Sequence, residues 1–182
     1  MSRLILIRHC RSTAQHPEAP LTDEGTLAAR ELAEQLAPLG VDAIYSSPFA
    51  RAVATIEPFA RRSGLSINTE PRLRERLLSP HPVDDFMEHI RRSFDDSDHQ
   101  LPGGESLRET AERALGALGE ISLKSHALPV AVGHGNLIAA ALRSVDPQFG
   151  YLQWGALKNP DLFVLNFDGA TLISYQPLTI AA

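Results

Sequence analysis

Arg3-Leu4-Ile5-Leu6-Ile7-Arg8-His9, near the start of the chain, is an apolar run that ends abruptly in a guanidinium and an imidazole. Its consecutive large aliphatic residues leave no polar face, so it reads as a strand buried on both sides, as in a parallel sheet covered by helices. A second such run, Pro129-Val130-Ala131-Val132, ends in Gly133-His134-Gly135. In an open α/β sheet the ligand crevice lies just beyond the carboxyl ends of the strands. Two histidines delivered to that edge, one beside an arginine, point to a site for an anionic group.

Outward from these runs, strand and helix signals alternate. Thr22 is an N-cap type, with Asp23 and Glu24 in the first turn, where negative charge suits the helix dipole. Ala28, Leu32 and Leu36 form the inward face of that helix until Pro38 and Gly40 end it. Residues 41–45 read as a second strand. Ser46-Ser47-Pro48 opens a helix with Phe49, Val53, Ile56 and Ala60 inward and Gly64 as its stop. A short strand is expected near residues 65–69. From Pro71 to Gly104 the pattern is less regular. It holds a helix marked by Val83, Phe86, Met87, Ile90 and Phe94, then a polar stretch from Asp95 to Gln100. Ser106 and Glu109 have capping-box spacing and start a helix with Leu107, Ala111, Ala114, Leu118 and Ile121 inward. Residues 136–143 form a short helix, and residues 162–167 and 171–175, joined across Asp168-Gly169, a terminal hairpin. The expected fold is α/β: a single domain over residues 1–182, three-layer α/β/α. It has a mostly parallel central sheet, at least one antiparallel edge strand, and a helical excursion (about 77–104) over the active-site edge.

Composition narrows the function. With 182 residues, 43% hydrophobic and 21% charged, the chain can bury a full core. The net charge of −5 and the lack of a Lys/Arg block argue against nucleic acid as a partner. No apolar stretch approaches the ~18 residues of a membrane span. Cys10 is the only cysteine, which excludes an intrachain disulfide and a cysteine-rich zinc site. A cleavable leader would remove Arg8 and His9, so a cytoplasmic protein is expected.

The chemistry of a phosphate ester assigns roles. Guanidinium groups meet phosphate oxygens bidentately. Arg8 leaves the first strand, and Arg51 lies on the first turns of the next helix but one, off its inward face and near the positive N-terminus. By itself Arg51 reads as a solvated helix charge; with Arg8 and two histidines it reads as a phosphate ligand. His9 is the candidate nucleophile, because neutral imidazole is available near pH 7 and would form a phosphohistidine. His134 can donate a hydrogen bond to the phosphoryl oxygens. Glu75, in Leu73-Arg74-Glu75-Arg76, is the candidate acid for the leaving alkoxide and later the base for water. Read alone, it is equally a surface carboxylate paired with Arg74 or Arg76.

Several motifs in order carry a resemblance. Arg8-His9-Cys10-Arg11-Ser12 resembles the Arg-His-Gly signature of the histidine phosphatase superfamily, which includes the cofactor-dependent phosphoglycerate mutases. Leu21-Thr22-Asp23-Glu24-Gly25, Ser46-Ser47-Pro48-Phe49-Ala50-Arg51-Ala52, Leu73-Arg74-Glu75, Pro102-Gly103-Gly104-Glu105-Ser106 and Gly133-His134-Gly135-Asn136 are similar to further segments of that family. The resemblance implies a phosphoryl pocket of Arg8, His9, Arg51 and His134, with His9 phosphorylated and Glu75 as acid and base. It implies hydrolysis of a small phosphorylated metabolite with no cofactor and no metal. Mutases of this pattern generally carry a longer insertion after the acid segment, so the short chain favours a phosphatase over phosphoglycerate mutase-type transfer. A catalytically silent phospho-ligand-binding relative is the other alternative.

The chain departs from the pattern at three places. Cys10 stands where the family has glycine. Gln15 stands where many members have a phosphate-holding asparagine. The segment after Glu75, Arg76-Leu77-Leu78-Ser79, lacks the usual Phe-Gly and Glu-Gly marks, which leaves Glu105 as the next carboxylate for the acid role. Cys10 sits either at the mouth of a basic pocket, with a lowered thiol pKa, or in the core. A cysteine-type phosphatase, His-Cys-x5-Arg, is disfavoured because His16 occupies the arginine position. His81, His89 and His99 lack metal-ligand spacing and are expected on the polar face of the excursion or at the substrate entrance. Neither the substrate nor the oligomeric state follows from the residues.

Overall fold

A computed structural model describes residues 1–179; residues 180–182, included in the expected single domain, lie outside the described residues. Six strands form one sheet: β1 (Ser2–Arg8), β2 (Ala43–Ser46), β3 (Ile67–Thr69), β4 (Pro129–Gly133), β5 (Asp161–Asp168) and β6 (Thr171–Pro177). Their order is β3-β2-β4-β1-β5-β6. The first four are mutually parallel, and β5 pairs antiparallel with both β1 and β6. The antiparallel edge expected from the hairpin is this β5–β6 pair. The helices are α1 (Asp23–Leu36), α2 (Ala50–Ser63), α3 (Phe86–Asp95), α4 (Leu107–Ser122), α5 (Gly135–Arg143) and α6 (Tyr151–Ala156).

Strand β1 shows why the sheet is covered on both sides. Ile5 and Ile7 pack with Leu32, Leu36, Ile56 and Phe59 of α1 and α2 on one face. Leu4 and Leu6 pack with Leu118, Ile121, Leu137 and Ile138 of α4 and α5 on the other. Alternate side chains of one apolar run thus enter two cores, and the fold is the expected three-layer α/β/α.

Local chemistry sets the helix ends. Thr22 Oγ1 accepts the Gly25 N–H (3.0 Å), and Gly40 follows in the left-handed region (φ 75°). Ser106 Oγ accepts the Glu109 N–H (3.1 Å) while Glu109 Oε2 accepts the Ser106 N–H (2.8 Å), the reciprocal box read from sequence.

Three readings need correction. Helix α2 begins at Ala50, with Phe49 as its N-cap; Ile56 and Ala60 face inward as expected, but Phe49 and Val53 are only partly buried and the face is completed by Arg51, Ala52, Thr55 and Phe59. Counting from a residue outside the helix rotated the inferred face and put Arg51 on the outside. Ala28 is only partly buried in α1, where Gly25, Ala29, Leu32, Ala33 and Leu36 face inward. Helix α6, a short element next to Gly150, carries no apolar period and was not anticipated.

Gly25 is where α1 meets the segment that follows His9: Thr22 N–H donates to Arg11 O (3.0 Å), and a β-carbon on Gly25 would overlap that carbonyl. Gly25→Ala is therefore expected to lower stability by about 1–3 kcal/mol, the usual cost of forcing packed backbone apart. Gly155→Ala in α6, with nothing within 4 Å of the added carbon, should be neutral or stabilising by less than ~1 kcal/mol. Denaturant melts of both variants check the pair.

Candidate active site

The register of the central strands assembles the site. Arg8 of β1 stands opposite Gly133 of β4 in the parallel pair, and Ser46 of β2 opposite Val132. His9 and His134 therefore emerge side by side just past the carboxyl edge, and Ser47 stands one position back, level with Gly133. Two backbone bonds carry the ladder past the strand ends: His9 N–H donates to Gly133 O (3.1 Å) and Ser47 N–H to Val132 O (2.9 Å). The His9 and His134 ring centroids are 5.1 Å apart.

His9 is buried, and its tautomer follows from its partners. The Cys10 carbonyl can only accept, so the contact of 2.6 Å at Nδ1 places the proton there. Arg51 Nε–H donates to Nε2 (3.2 Å), which accordingly carries the lone pair. Burial pushes the His9 pKa down to about 4; the Cys10 carbonyl opposes this, and the charges of Arg51 and Arg8 reinforce it. The ring is neutral at pH 7. His134 is fully buried; burial first, then His9 and Arg51, holds its pKa well below the ordinary histidine value. Its Nε2 lies 2.8 Å from Ser47 Oγ, which also accepts the Phe49 N–H (3.2 Å), and the Phe49 ring packs edge-on against the imidazole.

Both arginines face inward. Arg51, expected off the core, is completely buried. Its Nη1 donates to the carbonyls of Gln15 (3.1 Å) and His16 (3.0 Å). Gln15 thus meets Arg51 through its backbone, while the residue itself lines the cleft. Arg8 Nη1 donates to Leu157 O (2.6 Å). A β-carbon on Gly135 would stand 3.2–3.4 Å from the Arg8 guanidinium, so glycine lets that group lie against the start of α5. These guanidinium bonds run to carbonyls and to His9, not to carboxylates. Arg8 Nε, Arg51 Nη2 and His134 Nδ1 are buried without a protein partner. Such groups are costly unless an acceptor meets them.

Glu75 lies across the first turn of α5. Its Oε2 accepts the Asn136 N–H (3.2 Å), and its Oε1 accepts the N–H groups of Leu137 (3.2 Å) and Arg76 (2.8 Å). A carboxylate there satisfies helix N–H groups that have no intrahelical partner. Glu105, the alternative acid, is tied to Arg74 (2.9 Å) and Arg113 (2.7 Å). Burial opposes its ionisation, but Arg113, the Leu77 N–H and Arg74 outweigh that and hold its carboxyl below the ordinary range. It is a strut of the excursion, since Leu77 N–H also donates to it (3.2 Å).

Four contributors escaped the sequence reading of the site. Ser47 contacts His134, Thr55 Oγ1 accepts the Cys10 N–H (2.8 Å), Asn159 Nδ2 donates to His9 O (2.7 Å) and Phe49 packs on His134. Only Ser47 had a local signal, in the Ser-Ser-Pro motif. Asn159 arrives from a loop 150 residues away. His89 and His99 stack on each other (interplanar angle 4°), with Nδ1 and Nε2 3.0 Å apart. His81 lines the cleft.

Residues 4–172 match the sequence profile of the histidine phosphatase superfamily (branch 1). The chain belongs to that superfamily. It is 30% identical over 161 residues to the probable phosphoglycerate mutase GpmB of Proteus mirabilis, a match covering 80% of this chain and 75% of the relative. The fold is similar to that of a mycobacterial glucosyl-3-phosphoglycerate phosphatase solved with inorganic phosphate (TM-score 0.78, 24% identity, 100% and 98% of the two chains). It is also similar to that of the Entamoeba histolytica phosphoserine phosphatase solved with 3-phosphoglyceric acid (TM-score 0.73, 22% identity, 96% of each chain).

Cys10 settles the question its position raised. It is fully buried, and burial pushes its pKa up to about 11 against the opposing Thr55 hydrogen bond. The thiol is an inert core group; the local basic charge does not reach it strongly enough to offset desolvation. Native protein is expected to resist a thiol reagent such as dithiobis-nitrobenzoate and to react fully once unfolded in guanidinium. Rapid reaction of the folded protein would contradict this placement.

Proposed function

We propose that this chain hydrolyses phosphate monoesters through a phosphohistidine on His9. The reading is carried by the buried donors without protein partners on Arg8, Arg51 and His134, gathered around one neutral imidazole. A phosphoryl group bound there would accept from Arg8 Nε, Arg51 Nη2 and His134 Nδ1, the last protonated when the Ser47 hydroxyl donates to Nε2. Gln15, on the cleft wall, is the further candidate phosphate contact. Arg51 Nε–H would turn from His9 to a phosphoryl oxygen and free the Nε2 lone pair for attack.

In the first step the Nε2–P bond forms and the ester O–P bond breaks. Glu75, acting as the acid, gives a proton to the leaving oxygen. The Cys10 carbonyl, bonded to Nδ1–H, supports the positive charge that develops on the ring. In the second step water attacks phosphorus, Glu75 takes a proton from it, and the N–P bond breaks to release inorganic phosphate and neutral His9. No residue role in this cycle calls for a metal. Among the described residues there is no group of three or more His, Cys, Asp or Glu side chains that could hold one. Likewise, no helix there is long and apolar enough to cross a membrane.

Relatives named as mutases favour a second reading, phosphoryl transfer between positions of a phosphoglycerate. The same pocket would serve it, with the released alcohol re-phosphorylated in place of water. Interconversion of 2- and 3-phosphoglycerate, assayed beside phosphate release, separates the two.

Rapid quench with labelled substrate should trap acid-labile label on His9. His9→Ala should abolish turnover, and Arg51→Ala should lower it by about 10²–10³, the usual loss for one charge-stabilising donor. Turnover abolished by a chelator and restored by a divalent ion would count against the cycle, as would near-normal activity of His9→Ala.

Leaving-group dependence tests Glu75. p-Nitrophenolate departs without help from a proton, whereas an alkoxide needs one. Glu75→Gln is expected to slow single-turnover cleavage of alkyl phosphates by about 10²–10⁴, the usual share of general acid catalysis, and that of p-nitrophenyl phosphate far less. Equal losses would move the proton to another group.

A further inference from the structure

The cleft that holds Arg8, Glu75 and Asn136 has a volume of about 520 Å³ and continues beyond them beneath the excursion. Its far wall is Leu77, Leu78, Val83, Phe86, Met87 and Trp154. Three of these side chains are large, apolar and half exposed: Leu77 (46%), Phe86 (48%) and Met87 (50%). Phe86, Ile90 and Phe94 occupy one stripe of α3, spaced by four residues. Ile90 and Phe94 are buried in the core, so the stripe's first turn overhangs the cleft instead of entering the protein. A cluster of exposed large apolar side chains in a concave site marks a ligand-contacting surface.

The cleft also carries polar groups, at Ser79, His81 and Arg76 along this side, and Arg76 Nη1, Asn136 Oδ1 and Trp154 Nε1 are buried without a protein partner; the stretch formed by Leu77, Phe86 and Met87 itself is apolar. Ser79 Oγ accepts the His81 N–H (3.1 Å). Arg76, the nearest cation, is buried; its Nε–H donates to Glu105 O (2.9 Å) and its Nη2 points to His99 O (3.4 Å), so it braces the two ends of the excursion. A hydroxyl or carboxylate held against Leu77, Phe86 and Met87 would lose its water and meet no polar partner in those side chains.

On the basis of the phosphatase reading above, we infer that the alcohol released has an apolar body: the substrate class is a monophosphate of an alkyl or aryl alcohol, rather than of a polyol or hydroxy acid. The phosphoryl group sits at His9 and the hydrocarbon lies along Leu77, Phe86 and Met87. Arg8, Gln15 and Glu75 line the same cleft as this wall, so a monoester with its phosphoryl group at His9 and its leaving oxygen toward Glu75 would extend its leaving group along it.

Butyl, hexyl and octyl phosphate share one leaving-group basicity and differ only in apolar length. With the full chain and a phosphate-release assay, kcat/KM should rise two- to fourfold per methylene, the upper figure being ~0.8 kcal/mol per buried CH2 converted at 1.36 kcal/mol per tenfold. Hexyl phosphate should exceed glucose 6-phosphate and 3-phosphoglycerate by about tenfold or more on the same burial arithmetic. In Phe86→Ser and Met87→Ser the octyl-to-butyl ratio should fall toward one. His9-dependent hydrolysis with a flat chain-length profile, or with either polar ester preferred, would overturn the apolar assignment and leave the phosphatase reading standing. Absence of hydrolysis for every ester would overturn both.

Discussion

The parallel pairing of β1 with β4 is the constraint on which the site depends. Opposing Arg8 to Gly133 brings His9 and His134 past the sheet edge together, and the His9 N–H to Gly133 O bond extends the ladder one residue into the site. A slip of one residue would turn every side chain of β1 to the opposite face. The register is protected because both faces are buried: Leu4 and Leu6 belong to one core, Ile5 and Ile7 to the other. Hydrophobic packing far from the chemistry thus holds two imidazoles within ring-contact range.

That scaffold carries an electrostatic load. Two guanidiniums and two imidazoles lie together in a buried region, and their bonds run largely to carbonyls. Burial lowers the pKa of Arg8 and Arg51, with Glu75 acting against it, and removes the charge from His9 and His134. Uncompensated buried charge destabilises a fold. Its retention where donors remain unmatched fits a site built for an anion rather than for stability. Glu75 occupies the start of α5 and supplies the nearby negative charge.

The excursion is anchored in the core by Leu78, Ile90 and Phe94 and tied at its ends by polar bonds. Glu105 N–H donates to Leu77 O (2.7 Å), Glu105 joins Arg74 and Arg113, and Arg76 reaches Glu105 O. This bracing lets the segment between present apolar side chains to the cleft without collapsing into it. It also explains why Glu105 serves as a strut: a carboxylate between two arginines is held ionised.

Periodicity and punctuation in the chain determined most of the architecture. The doubly buried apolar runs, the Thr22 cap, the Ser106–Glu109 box and the Asp168-Gly169 hairpin are local events, governed by residues within a few positions of each other. The family motifs likewise lie in short contiguous segments, so the candidates Arg8, His9, Arg51, Glu75 and His134 can be picked out from sequence alone. Tertiary structure decided what depends on distant partners. Arg51 turned out to be buried because the carbonyls of Gln15 and His16 and the His9 ring wait on the inner side of α2. Cys10 is fully buried, and burial pushes its thiol pKa up despite the nearby charge. Asn159 and Ser47 acquire their contacts only when separate loops converge on one sheet edge. A pKa and a hydrogen-bond partner are sums over neighbours in space, and those neighbours come from all parts of the chain.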